Sequence, residues 1–91
     1  MIYLNKEKTK KANIEPNENN KYVLEGNGTY YVFGNIKVIA RDEVEVYAHD
    51  TSEVEAWNYS KVKAYNFSRV EAYDKSVVEI NDKAKLIDER G

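Results

Sequence analysis

Ser52–Ile80 reads SEVEAWNYSKVKAYNFSRVEAYDKSVVEI, and it nearly repeats itself every eight residues as S-x-V-x-A-x-N/D-x. Val54, Ala56, Val62, Ala64, Val70 and Ala72 share one parity, and the residues between them are charged or aromatic. Alternation of this kind is the strand period, not the helix period. It runs almost without a break from Ile36 to Leu86. Strands usually hold about three to ten residues, so this cannot be one strand. The chain must turn at a regular interval.

The repeat supplies the interval. Each unit places Val and Ala in mid-strand, then Asn or Asp, one residue, and Ser. Asn, Asp and Ser suit corners because their short side chains bond nearby backbone. Tight hairpins would call for glycine-rich turns, yet no glycine lies between Asn35 and Arg90. Parallel strands stacked as coils satisfy both constraints. The expected fold is all-β: a single-chain parallel β-solenoid, either a β-helix or a flattened β-roll.

The charges select the length of a coil. Residues one coil apart stack about 4.8 Å apart. Two repeats per coil place Lys37 on Glu53, Glu53 on Arg69, Glu45 on Lys61 and Lys63 on Glu79. The unfavourable stacks are Glu55 on Glu71 and Arg69 on Lys85. Three repeats per coil would stack Lys37 on Lys61, Lys61 on Lys85 and Glu55 on Glu79, and like charges directly opposite are destabilising. The corner column agrees. Two repeats give Asp42–Asn58–Asp74 and Asp50–Asn66–Asp82, with no carboxylate on a carboxylate. By parity these corner side chains are expected to point inward.

Ahead of the repeats, residues 1–35 read as a short apolar strand, a polar loop or arm (Lys6–Asn20) and a hairpin. The hairpin reading rests on two β-rich runs, KYVLEG and TYYVFG, flanking Gly26-Asn27-Gly28. It would cap the solenoid of residues 36–91.

The repeat resembles the octapeptide-repeat β-solenoids of bacterial and phage proteins. Ser52-x-Val54-x-Ala56, Ser60-x-Val62-x-Ala64-Tyr65, Ser68-x-Val70-x-Ala72-Tyr73 and Ser76-x-Val78 carry the likeness, which covers roughly Ile36 to Leu86. Such motifs specify a fold rather than an activity. The resemblance implies a phage or mobile-element product, and an inhibitor of a host defence complex, such as an anti-CRISPR protein, is its concrete form.

Composition narrows the function classes. The 91 residues allow one domain, and the absence of cysteine excludes disulfides and thiolate metal sites. A net charge of −2 with interspersed signs lacks the bias of a nucleic-acid binder. No stretch approaches a membrane span or a secretory signal, so the expected location is the cytoplasm, or the host cytoplasm for a phage product. The one histidine, His49, is expected to point outward while Asp50 points inward, which argues against a catalytic triad with Thr51. No phosphate-cradling loop appears, and the corners lack the glycines of calcium-binding β-rolls. The expectation is a protein with no catalytic residues, no cofactor and no metal.

What remains is an aromatic column. Arg41, Trp57 and Tyr73 are expected along one sheet edge and His49 and Tyr65 along the other, with Tyr59 and Phe67 on the neighbouring corners. Stacking between coils is the structural reading of this column; a partner-binding surface is the functional one, since Trp, Tyr and Arg anchor interfaces. Three functions compete. The first is a protein-binding module that recognises a host complex through these seven residues. The second is self-association into a homodimer through the solenoid end or the aromatic face, with Ile39, Leu86 and Ile87 as candidates. The third is single-stranded nucleic-acid binding through aromatics and Lys61, Lys63, Arg69 and Lys75, which the interleaved Glu53, Glu55 and Glu71 oppose.

Overall fold

The computed structural model describes residues 2–4 and 21–89, and they form an all-β solenoid of parallel strands. The strands are β1 (Ile2–Leu4), β2 (Tyr22–Leu24), β3 (Thr29–Val32), β4 (Lys37–Ala40), β5 (Glu45–Ala48), β6 (Glu53–Ala56), β7 (Lys61–Ala64), β8 (Arg69–Ala72), β9 (Val77–Ile80) and β10 (Lys85–Asp88). The odd strands form one five-stranded sheet in the order β1-β3-β5-β7-β9, and the even strands form the other, β2-β4-β6-β8-β10. Successive strands therefore alternate between two sheets, and a coil holds two octapeptides. Among the described residues no helix is long and apolar enough to cross a membrane.

The register is sixteen residues from Tyr22 onward. Val46 pairs with Val62 and Val62 with Val78; Val38 pairs with Val54 and Val54 with Val70. The inward column of Val, Ala and Ser is buried throughout the central coils. Ser52, Ser68 and Ser76 satisfy their buried hydroxyls by donating to the carbonyls of His49, Tyr65 and Tyr73, three residues earlier. Ser60 occupies the same place, but its Oγ has no partner. Two small layers one Val and one Ala thick make a narrow core, so burial per residue is modest and the backbone ladder carries the fold's continuity.

The outward charges stack as the sixteen-residue register requires. Glu53 lies between Lys37 (3.6 Å) and Arg69 (3.8 Å). The like-charge stack of Glu55 on Glu71 is offset by Lys21, which donates to Glu55. That hydrogen bond holds the Lys21 ammonium above its ordinary pKa; the nearby Glu55, Glu71 and Glu53 charges add to the effect, and burial opposes it.

Two expectations are corrected. First, Gly26-Asn27-Gly28 does not close a hairpin. β2 pairs with β4 and β3 with β5, both parallel and in different sheets, so the run is a corner of the solenoid. Gly26 (φ 93°) stands sixteen residues before Asp42, and Gly34 (φ 81°) sixteen before Asp50. Both glycines hold the left-handed place that Asn and Asp hold further on, and glycine takes it without a steric penalty. The solenoid thus extends upstream of Ile36. The expected arm, Lys6–Asn20, lies outside the described residues.

Second, the corner Asp and Asn side chains do not point inward. Asp42, Asp50, Asn58, Asn66, Asp74 and Asp82 all have φ between 54° and 60° and are exposed. A left-handed residue breaks strand parity and turns its side chain along the edge. There each one accepts a hydrogen bond from the main-chain N–H of the coil before. Asp42 accepts from Gly26 (3.0 Å), Asn58 from Asp42 (3.0 Å) and Asp74 from Asn58 (3.1 Å). On the other edge Asp50 accepts from Gly34 (2.9 Å), Asn66 from Asp50 (3.0 Å) and Asp82 from Asn66 (3.0 Å). The corners are hydrogen-bonded ladders.

Candidate functional site

Each coil turns twice, and each turn begins with the residue that follows an inward Ala or its equivalent. On one edge this residue is Glu25, Arg41, Trp57 or Tyr73; on the other it is Phe33, His49, Tyr65 or Asn81. Backbone bonds such as Trp57 N–H to Ala40 O and Tyr73 N–H to Ala56 O (both 2.8 Å) fix the vertical spacing of these residues. At that spacing neighbouring rings can stack face to face.

On the first edge Trp57 and Tyr73 lie with centroids 3.9 Å apart and planes within 4°. The Tyr73 hydroxyl donates to Glu71 Oε2 at 3.0 Å. That bond, with a smaller contribution from burial and neighbouring carboxylates, pushes the phenol up to about 12. Arg41 continues the row and pairs with Glu25 at 3.4 Å. Tyr59 projects from the adjacent corner, well exposed, with the Lys75 ammonium 5.8 Å from its ring centre.

On the opposite edge Phe33, His49 and Tyr65 form a three-ring stack with centroid separations of 4.7 and 5.0 Å. Phe67 projects beside it, with Lys83 5.8 Å from its ring centre. The seven candidate aromatic and basic residues are therefore split between two edges of the solenoid and do not make one face. Two stacks lie outside the sequence-derived candidates: Phe33 on His49, and Tyr31 on Tyr47, the latter at 4.8 Å on the outer face of the odd-strand sheet with Lys63 above Tyr47. The sixteen-residue spacing would have found both, because 33 and 49, and 31 and 47, differ by one coil.

The self-association candidates also separate. Ile39 and Ile87 share the outward column of the even-strand sheet, but Glu55 and Glu71 lie between them. Leu86 pairs in register with the buried Val70, in the last of the described coils, and is 41% exposed.

His49 is held between two rings, and the Asp50 carboxylate is turned to the Gly34 amide. Among the described residues no cluster of three or more His, Asp or Glu side chains is placed to hold a metal ion. No family model, curated protein or solved structure matches the chain.

Proposed function

We propose that the chain is a non-enzymatic protein-binding module that engages its partner along the Arg41–Trp57–Tyr73 edge, with Tyr59 at its side. The observation that carries this reading is the Trp57–Tyr73 stack, locked in place by the Glu71 hydrogen bond. Stacked rings on a hydrogen-bonded backbone lose little conformational freedom on binding, which favours affinity. Trp, Tyr and Arg are also the side chains that most often dominate binding energy.

The same geometry weighs against base stacking. A ring that reads bases needs an open face. In these rows the faces between neighbours are covered, and a partner meets mostly ring edges. A protein surface offers the carbonyls and aliphatic groups that ring edges attract. The resemblance to phage-borne octapeptide solenoids makes an inhibitor of a host defence complex, acting in the host cytoplasm, the specific form of this proposal.

The test is affinity capture from host lysate with wild type, a Trp57→Ala/Tyr73→Ala variant and a Glu45→Ala/Lys61→Ala control on the odd-strand face. The expected result is a protein captured by wild type and control and lost in the aromatic variant. Identical capture by all three rejects the edge as the binding surface. Thermal melts of the three variants separate loss of contact from loss of fold.

A further inference from the structure

We propose that the last coil is a self-docking surface: two copies join end to end across a twofold axis, with β9 of each paired antiparallel to β10 of the other, Val78 opposite the partner's Leu86 and Glu79 opposite the partner's Lys85.

The surface is the β9–β10 end of the described solenoid. β9 and β10 are the outermost strands of their sheets. Each presents an edge with no strand beyond it among the described residues, and bare edges invite pairing. Apolar groups gather at the same end. Val77 is 59% exposed, Leu86 41% and Ile80 36%, and the only other large apolar side chains so exposed among the described residues are Tyr59 and Phe67. Val62 is covered by a valine on both sides, whereas Val78 is covered on one.

Geometry selects the occupant. A coil climbs one strand spacing per turn, about 4.8 Å, so β9 trails β10 by about half a spacing. Accordingly β9 approaches both β8 and β10 across the core. A twofold axis along the strand direction exchanges the two sheets. It sets the trailing edge of one copy against the leading edge of the other, and both junctions acquire the same spacing. An axis perpendicular to the sheets would pair β9 with β9 and β10 with β10. Those two gaps would differ by about one strand spacing, and only one could close. Stacking head to tail would not close at all and would give an open filament.

The axis also sets the register. The final corner turns at Asp82, and Val78 and Leu86 lie four residues to either side. A twofold along the strands keeps each residue's position along the strand, so Val78 meets the partner's Leu86. Ile80 then meets the partner's Ala84 on the inner side, and Val77 meets the partner's Ile87 on the outer side. Glu79 meets the partner's Lys85, an acid on a base. Apolar meets apolar on both faces, and the core continues through the junction. The charge match also answers the like-charge stack of Lys85 on Arg69, in which Glu53 offsets Arg69 but no acid lies in register with Lys85. The partner's Glu79 supplies the missing opposite charge.

Sedimentation velocity of the full chain over a range of concentrations tests the proposal. The expected species is a discrete dimer in reversible exchange with monomer. Lys85→Glu should weaken it at least about tenfold, since each substitution acts twice across the axis. The same change should not lower the melting temperature of the monomer, because it replaces a like-charge stack with an opposite-charge one. Glu79→Lys should weaken the dimer similarly, and the double exchange Glu79→Lys/Lys85→Glu should restore it. A chain that stays monomeric, polymerises without limit or dimerises equally well in every variant overturns the proposal. So does a double exchange that fails to restore association.

Discussion

Val62 and Lys63 are neighbours in sequence and opposites in environment. Val62 is 1% exposed between Val46 and Val78, while Lys63 is exposed and paired in register with Glu79. Val62→Asp would bury a carboxylate with no partner, at a cost of roughly several kcal/mol against a typical stability of roughly 5–15 kcal/mol. It is expected to unfold the chain. Lys63→Asp should cost less than about 1 kcal/mol, because exposed pairs are weak. Thermal melts of the two variants check this, and similar melting temperatures would refute the strand parity. Tyr73 makes a second prediction. Its folded pKa of about 12 stands above the ordinary phenol value of 10.0, so folding favours the protonated ring. The stabilisation is therefore complete below pH 10 and is lost as pH rises through about 12. Lys21, also raised, loses its contribution in the same direction. Comparing denaturation of wild type and Tyr73→Phe between pH 10 and 12 isolates the phenol: the wild type should lose more stability across that window.

Among the elements, the corners decide what the sequence can and cannot tell. Asn66 has φ 59°, accepts from the Asp50 amide and donates its own N–H to Asp82. Asn66→Gly keeps the backbone geometry and loses one exposed bond, at a cost of about 1 kcal/mol or less. Asn66→Val adds left-handed strain for a branched residue, about 1–2 kcal/mol more. Urea midpoints at unchanged slope should rank wild type, glycine and valine in that order; equal midpoints for glycine and valine would remove the left-handed residue from the explanation. The repeat was legible because Val54, Ala56 and their equivalents alternate cleanly, and Glu53 between Lys37 and Arg69 identified the coil length. The coil around Gly26 was not. Gly26 serves equally in a hairpin turn and in a left-handed corner, and its pairing is decided by β4 and β5, far along the chain. A hairpin at Gly26 leaves Tyr31 and Phe33 outside the sixteen-residue register that stacks them on Tyr47 and His49. The direction of the corner side chains was hidden too, because a left-handed residue suspends the alternation used to infer it.

For the whole molecule, the core and the surface obey different periods. Val, Ala and Ser recur every eight residues on the inside, so each octapeptide is interchangeable as far as the core is concerned. The outside recurs every sixteen: Trp57 stacks on Tyr73, and His49 on Tyr65, one coil apart. Each strand pairs only with the strands one coil above and below it in its own sheet. Gain or loss of a single octapeptide would therefore spare the fold yet move every later strand to the opposite sheet, exchanging the two aromatic edges beyond the change. Gain or loss of a pair would alter only the length. Such a chain can be lengthened or shortened by duplication in steps of sixteen with its recognition surface intact, whereas a step of eight leaves an equally well packed protein with its surface rearranged.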